Sequence, residues 1–232
     1  MKRRIWTLLL LLLVGATFAK AQMIAGKEPV GTVFTFDIKI SGGMAGSQSF
    51  TTTQTLTAKE GNLYTFLVKT VVPAPSEMTV TTRVEEGMMV QALEDAIEQM
   101  KAELKASGMG DTQIEVSGDL YRVPLEGKVG DKFAGATYTA KAQLPMGPYS
   151  MKYSVSDIEV VSVGTVDLPA GSFDGMLLSL PTDIEISFMG QTQKMHMDTK
   201  LWVNKEYGVV QQTQSSTVSG TITSTLASIK RP

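Results

Sequence analysis

Strict alternation of apolar and polar residues constrains this chain more than any other feature. From Thr32 to Ile40 the apolar side chains Phe34, Phe36 and Ile38 alternate with polar ones, and a period of two predicts a strand with one buried face. The pattern returns at residues 184–188 and 195–203, with glycine- or proline-containing turns between such segments. Since proline cannot donate to a ladder, these turns delimit the strands. The sequence therefore predicts a mainly β fold of about eleven strands.

One segment breaks this period. Between Val90 and Ser107 the apolar residues follow spacings of three and four, which is the period of an amphipathic helix. They are Leu93, Ile97, Met100 and Leu104. Gly108 ends the pattern as a helix C-cap would. Because one apolar stripe needs a surface to cover it, we expect a strongly curved antiparallel sheet, or an incompletely closed barrel, packed on one long amphipathic helix.

The first residues form a targeting pattern. Lys2, Arg3 and Arg4 precede an apolar run that ends at Phe18, and Ala19-Lys20-Ala21 supplies small residues for cleavage. We predict a cleavable signal peptide at residues 1–21 and a single β-rich domain at residues 22–232. The run is short for a membrane span, so no integral membrane segment is expected after its removal. The predicted location is periplasmic or secreted, soluble after cleavage at Ala21.

Composition narrows the compartment and the partners. The sequence has no cysteine, so it offers neither the lipid-attachment residue of a bacterial lipoprotein nor a disulfide, and the fold depends on its hydrophobic core. The whole chain has a net charge of −2. Loss of the four basic residues of the signal peptide makes the mature charge about −6, which disfavours nucleic acid and anionic lipid headgroups as partners.

Methionine is unusually frequent, with 14 residues. Methionine side chains line adaptable apolar surfaces, so one interpretation is a cavity that binds a lipid or another apolar small molecule between sheet and helix. The alternative is an ordinary core in which methionine replaces leucine. The candidate wall residues are Phe34, Phe36, Met195 and Met197 on the sheet, with Leu93, Ile97, Met100 and Leu104 on the helix.

The sequence offers little chemistry. His196 is the only histidine, and strand alternation directs its ring away from the sulfurs of Met195 and Met197, which disfavours a copper site. Two Asp-Ile-Glu triplets, Asp157/Glu159 and Asp183/Glu185, would form an acid–base or calcium site only if they met in space. Otherwise they are solvated strand faces. We therefore predict no catalytic residue, no metal site, no cofactor and no enzymatic activity.

A family resemblance rests on the last third of the chain. The stretch Val166-Asp167-Leu168-Pro169-Ala170-Gly171-Ser172-Phe173-Asp174, followed by residues 201–210 (LWVNKEYGVV), resembles the TapB-like family of uncharacterised bacterial envelope proteins. The resemblance implies an incompletely closed antiparallel barrel, similar to lipoprotein carriers of the LolA type. The local residue types also predict structural roles. Pro169-Ala170-Gly171 is expected to bend the chain and Phe173 to enter the core. Trp202 and Tyr207 are expected to pack near the Gly208 turn.

These observations lead to two functions. The first is an exported, non-enzymatic envelope protein that binds a hydrophobic or amphiphilic ligand between sheet and helix. The second is a structural or partner-binding envelope protein. It would act through the Ser/Thr/Gln-rich strands at Gln211–Thr225, because an uncharged edge strand can pair with another chain.

Overall fold

The computed structural model describes residues 23–42, 46–70, 76–91, 97, 101, 113–144, 147–217 and 220–232. These residues form fifteen strands in one antiparallel sheet. In chain order the strands are β1 (Val33–Ser41), β2 (Gln48–Glu60), β3 (Leu63–Thr70), β4 (Ser76–Glu85), β5 (Met88–Gln91), β6 (Ile114–Gly118), β7 (Val123–Pro124), β8 (Lys132–Phe133), β9 (Ala136–Leu144), β10 (Gly147–Val155), β11 (Ile158–Leu168), β12 (Gly171–Phe188), β13 (Gln191–Asn204), β14 (Gly208–Ser216) and β15 (Gly220–Lys230).

The strand order makes the sheet open. Its path runs β6-β9-β10-β12-β13-β14-β15-β1-β2-β3-β4-β5-β7, and β11 lies off this path beside β12 and β8. The first and last strands of the chain, β1 and β15, pair in the middle of the path. The two ends of the path, β6 and β7, are joined by the four residues 119–122. The prediction of an open, mainly β, antiparallel sheet is therefore confirmed.

The predicted helix packing is wrong. Val90 and Gln91, the expected start of the helix, belong to strand β5, and the elements of the described chain are all strands. Ile97 and Lys101 have helical backbone as isolated described positions, whereas Leu93, Met100 and Leu104 lie outside the described residues. The described core clusters consist of side chains from strands and their connections. Periodicity in the sequence identified an apolar stripe but carried no information about where that stripe docks.

One face of the sheet is buried along its whole path. Alternate residues of β1, Phe34, Phe36 and Ile38, are almost fully buried, as the period of two requires. Two apolar clusters share this inner face, one centred on β10, β12 and β13 and the other on β1, β2 and β3. Buried polar residues contribute to the same face. They are Thr52, Gln54, Thr82, Thr182, Thr199, Gln212, Gln214 and Ser224.

Strand β12 is longer than the sequence suggested. Since proline delimits strands, a strand was expected to end at Pro181. Strand β12 instead passes through Pro181 and is 18 residues long in all. Its neighbour on one side changes at this point, because β11 pairs as far as Ser179 and β10 begins at Thr182. The carbonyl of Pro181 accepts a hydrogen bond from the Ser156 amide at 2.9 Å. Proline is tolerated here because no ladder on that side needs its missing N–H.

The Ser/Thr/Gln-rich strands do not form an edge. Strand β14 pairs with β13 and β15, and β15 pairs with β14 and β1. Both strands therefore have their backbone groups satisfied on both sides. The prediction that Gln211–Thr225 presents an edge for a partner is wrong, because both strands already have a paired neighbour on each side.

The two ends of the described chain are fastened together. Met23 forms a β-bridge with Gly208, and Met23, Ile24 and Ala25 are buried. The carboxylate of Glu28 accepts hydrogen bonds from Arg231 Nη2 at 2.7 Å and Nε at 2.9 Å. Tyr207 Oη donates to the same carboxylate at 2.9 Å. We call these three residues the terminal latch.

Candidate functional site

The predicted wall residues of the sheet lie in two separate clusters of its inner face. Phe34 and Phe36 belong to the cluster on β1–β3, whereas Met195 and Met197 belong to the cluster on β10–β13. Strands β14 and β15 lie between them. Of the helix residues in this wall, Ile97 is half-buried and the other three are outside the described residues. The four sheet residues are packed core in the described structure.

A cavity of about 770 Å³ lies instead where the two ends of the sheet meet. We call it the seam pocket. Its floor consists of half-buried apolar side chains from β3, β5, β8 and the connection 119–122. They are Leu63, Met88, Val90, Leu120, Tyr121 and Phe133. The volume is typical of small-molecule sites, which span roughly 300–1,000 Å³.

The rim of the seam pocket is charged and nearly balanced. Arg83, Glu86, Asp119 and Arg122 are exposed there. Arg83 Nη1 lies 3.2 Å from Glu85 Oε1. Arg83 lies on the opposite face of β4 from the buried Thr82, because successive strand residues alternate. The pocket thus combines an apolar floor with a rim that carries both signs of charge.

Three tyrosines support one side of the pocket. Tyr121 stacks on Tyr153 with ring centroids 6.5 Å apart, and Tyr153 stacks on Tyr138 at 5.2 Å. Burial raises the pKa of Tyr121 to about 12 and raises that of Tyr153 well above its ordinary value. Both phenols are therefore neutral near pH 7. The stack gives the connection 119–122 a rigid apolar anchor.

Glu86 adopts an unfavourable backbone conformation at the rim. Its φ is 50°, followed by 76° at Gly87, in the two-residue turn between β4 and β5. Asparagine or glycine takes this first turn position at lower cost than glutamate. Met189 has the same conformation, with φ of 51°, in the β12–β13 turn. Backbone strain of this kind is often retained at functional positions.

The structure does not bring the candidate carboxylates together. Asp183 Oδ1 lies 2.8 Å from His196 Nδ1, and Glu185 Oε2 lies 3.0 Å from Lys194 Nζ. Glu159 is 3.9 Å from Lys132 and pairs in register with Ser179, four residues before Asp183. At about 3.3 Å per residue the two triplets are about 13 Å apart along β12. Asp183, Glu185 and Glu159 each belong to a separate surface contact.

His196 is a solvent-facing side chain. The hydrogen bond with Asp183 raises its pKa, and the nearby charges of Asp183 and Asp198 act in the same direction, whereas burial opposes them. Met195 and Met197 are buried on the other face of β13. Within the described residues, no cluster of three or more histidine or acidic side chains has the geometry of a metal site.

The residues of the family-like stretch gather at one end of the sheet. The edge of the Tyr207 ring contacts Phe173 at 5.7 Å and Phe34 at 6.2 Å between centroids. Trp202 packs against the same cluster, and its buried Nε1 has no hydrogen-bond partner among the described atoms. Gly208 has a φ of 77°. Pro169 and Ala170 form the two-residue turn from β11 to β12, which starts at Gly171.

Comparison with known proteins places the chain in a family. The model of the DUF3108-like family matches residues 76–226, more than half of the sequence. The chain belongs to the DUF3108-like family. This result fits the expected uncharacterised family, whereas the narrower TapB-like assignment is not shown. A comparison with curated proteins found no match to this sequence.

Two solved structures resemble this DUF3108-like protein. One is a candidate exported protein of Bacteroides fragilis with a YmcC-like fold, at 17% identity and a TM-score of 0.56, with 90% of this chain and 99% of that chain covered. The other is a candidate lipoprotein of Parabacteroides distasonis, at 12% identity and a TM-score of 0.55, with 89% of this chain and 99% of that chain covered. These identities show a shared fold and nothing more. No helix in the described part of the chain is long and apolar enough to cross a membrane.

Sequence reasoning missed the seam pocket for a simple reason. The turn at Glu86-Gly87 was recognisable from its residues, and the apolar residues Met88 and Val90 were visible as such. The pocket itself depends on the connection 119–122 meeting β4 and β5, which are about thirty residues earlier in the chain. Periodicity reports which face of a strand is apolar, but not which distant segment covers it.

Proposed function

We propose that this DUF3108-like protein is an exported, non-enzymatic protein of the bacterial envelope that binds a single-chain amphiphile in the seam pocket. Export is supported by the signal-peptide pattern at residues 1–21. It is also supported by the two structural relatives, which are described as an exported protein and a lipoprotein. The proposal that the protein binds an amphiphile rests on the seam pocket.

The composition of the pocket favours a particular class of ligand. An apolar chain against Met88, Val90 and Phe133 would gain roughly 25 cal/mol for each Å² removed from water. A polar head would then lie at the rim, where Arg83 and Arg122 stand with Glu86 and Asp119. Because this rim carries both signs of charge, a zwitterionic head matches it better than a purely anionic or cationic one.

The decisive experiment is a titration of the mature protein, starting at Gln22, with three single-chain amphiphiles below their critical micelle concentrations. The probes are lysophosphatidylethanolamine, palmitate and hexadecyltrimethylammonium, and native mass spectrometry counts bound ligands. We expect one molecule to bind, with the zwitterionic probe at least about tenfold tighter than either charged probe. Absence of binding by all three would overturn the proposal.

A blocked pocket provides the specificity control. Val90→Trp fills the floor of the seam pocket at a strand position that accepts aromatic residues, so we expect the affinity to fall at least about tenfold while the thermal midpoint changes little. Val161→Trp is the matched variant, since Val161 is also a strand valine but is exposed and lies outside the pocket. Equal affinities in both variants would place any binding elsewhere.

Glu86→Asn tests whether the strained turn serves the pocket. Asparagine accepts positive φ more readily, so we expect the free energy of unfolding to rise by about 0.5–1 kcal/mol in urea titrations. Loss of the rim carboxylate should weaken binding of the zwitterionic probe. Met189→Asn, at the equivalent position of the β12–β13 turn, should give the same stabilisation with no change in binding. A Glu86→Asn protein that binds as well as the wild type would show that the strain has no binding role.

A further inference from the structure

Within the described part of the chain, strand β11 has a side that is unpaired over most of its length. Strand β11 pairs with β12 along its length, but its other side meets β8 only at Ile158 and Glu159. The next residue, Val160, is covered by a turn, because its carbonyl accepts from the Gly130 amide at 2.9 Å and its amide donates to the Asp131 carbonyl at 3.0 Å. From Val161 to Leu168, no described strand pairs with this side of β11. We call residues 161–168 the β11 edge.

Beyond the β-bulge between Val160 and Ser162, the β11 edge has little of the protection that is usual for exposed strands. Natural edges are shielded by lysine, proline or inward charges that prevent pairing with another chain. Residues 161–168 read Val-Ser-Val-Gly-Thr-Val-Asp-Leu, with Asp167 as the one charge. Val161 and Val163 are 44% and 55% exposed. A row of unpaired backbone groups flanked by exposed β-branched residues favours the addition of another strand.

A groove beside this edge would receive side chains of the added strand. It has a volume of about 470 Å³ and is lined by apolar or small residues. They include Leu125, Gly127, Val163, Gly164, Gly175 and Met176. An extended segment directs alternate side chains to one face, so one apolar residue of the segment would enter this groove while its backbone pairs with β11.

Two carboxylates lie at this surface, Asp174 in the lining of the groove and Asp167 further along the β11 edge. Asp167 accepts a hydrogen bond from Ser172 Oγ at 2.5 Å, and Asp174 accepts one from Thr165 Oγ1 at 2.6 Å. Both carboxylates are exposed, and neither has an ion pair with a described cation. Lys205, on the other side of the groove, is held by Glu126. A bound segment with lysine or arginine near its apolar residue would complement these two carboxylates.

We propose that the β11 edge is a docking site for an extended, basic segment of another polypeptide, which adds a strand to the sheet and places an apolar side chain in the groove. This surface replaces the β14–β15 surface suggested by composition. Its residues are separate from those of the seam pocket, so the two proposals stand or fall independently.

The test uses a synthetic peptide of alternating design, acetyl-Lys-Thr-Val-Thr-Val-Thr-Lys-amide, with a control peptide in which proline replaces the central threonine. Binding to the ¹⁵N-labelled mature protein is followed by NMR, and affinity is measured by fluorescence anisotropy. We expect the amide shifts to concentrate in residues 161–168. The proline peptide should bind at least about tenfold more weakly, because it lacks a ladder donor.

Variants of the protein localise the interaction. Val163→Lys places a positive charge on the edge and should reduce affinity at least about tenfold, whereas Val30→Lys, at an exposed valine in a turn, should leave it unchanged. Asp167→Asn with Asp174→Asn should weaken binding and reduce its salt dependence. Thermal midpoints of all variants confirm folding, and Thr165→Lys replaces Val163→Lys if that variant unfolds.

Three outcomes would overturn this proposal. Shifts outside residues 161–168, equal affinity of the proline peptide, or undiminished binding to Val163→Lys would each exclude strand addition at this edge. A fourth outcome that would overturn it comes from sedimentation velocity, which measures the oligomeric state. If the wild type dimerises in the absence of peptide and Val163→Lys is monomeric, the occupant of the edge is a second copy of this chain rather than a foreign segment.

Discussion

Gly135→Ala should lower the free energy of unfolding by about 3 kcal/mol. A Cβ atom at this position would lie 2.0 Å from the carbonyl oxygen of Val155 and 2.2 Å from that of Ser156. Both obstacles are backbone, so no side-chain rotation relieves the clash and the chain must move. Gly135 also lines the seam pocket, which should make the same substitution weaken amphiphile binding. At about 2–4 °C per kcal/mol for a domain of this size, the thermal midpoint should fall by roughly 6–12 °C.

Gly164→Ala is the matched control for this substitution. Gly164, in β11, likewise has no positive φ, but a Cβ there would meet no atom within 4 Å. We therefore expect its free energy of unfolding to stay within about 0.5 kcal/mol of the wild type or to rise slightly, because alanine reduces the freedom of the unfolded chain. Urea denaturation measures both variants. Similar stabilities for the two would contradict the close backbone approach at Gly135.

Glu28→Ala should lower the free energy of unfolding by about 2 kcal/mol at neutral pH. The carboxylate is largely buried, with 6% of its side-chain surface exposed, and it accepts three charged or phenolic hydrogen bonds in the terminal latch. Hydrogen bonds to a charged group contribute roughly 1.5–3 kcal/mol. Glu77→Ala is the matched control. Its ion pair with Lys69, at 2.8 Å, joins two half-exposed side chains, and its removal should cost about 0.5 kcal/mol or less.

The effect of Glu28 should depend on pH. The hydrogen bond from Arg231 is the main influence that lowers the pKa of Glu28 below its ordinary value, with a smaller contribution from Tyr207 and an opposing effect of burial. A carboxylate with a lowered pKa stabilises the fold fully above the pKa of the unfolded state and loses this contribution as pH falls through the folded-state pKa. The difference between wild type and Glu28→Ala should therefore shrink under acid conditions.

The pH series also distinguishes the latch from a passive contact. In Arg231→Met the carboxylate loses its main partner while its burial remains, so its pKa should rise and the variant should recover stability as pH falls. A pH-independent difference for Glu28→Ala would show that the residue contributes packing rather than charge.

The alternation of Phe34, Phe36 and Ile38, and of Met195 and Met197, was sufficient to predict which face of each strand is buried. This succeeds because the side-chain period of a strand is a local property of the backbone. Turn residues such as Glu86-Gly87 and Pro169-Ala170 were also recognisable, since their backbone preferences act over two or three positions. The predicted signal peptide and single-domain organisation remain predictions.

Other features depended on how distant strands pair. The Ser/Thr/Gln-rich strands read as a polar edge, but β15 pairs with β1 across almost the whole length of the chain and makes them central. Pro181 read as the end of a strand, but a change of neighbour from β11 to β10 accommodates it. The stripe at Val90–Ser107 predicted packing of a helix on the sheet, and that architecture was wrong. Composition does not report which backbone lies beside a strand.

By itself, the sequence determined a mainly β chain with one buried face, an export pattern and no obvious catalytic group, because these follow from local periodicity and composition. The tertiary structure decided where the open edge and the seam pocket lie. The open edge is at residues 161–168, and the seam pocket forms where the connection 119–122 meets β4 and β5. Both sites arise from contacts between segments far apart in the chain, and such contacts are set by strand order rather than by any pattern within one strand.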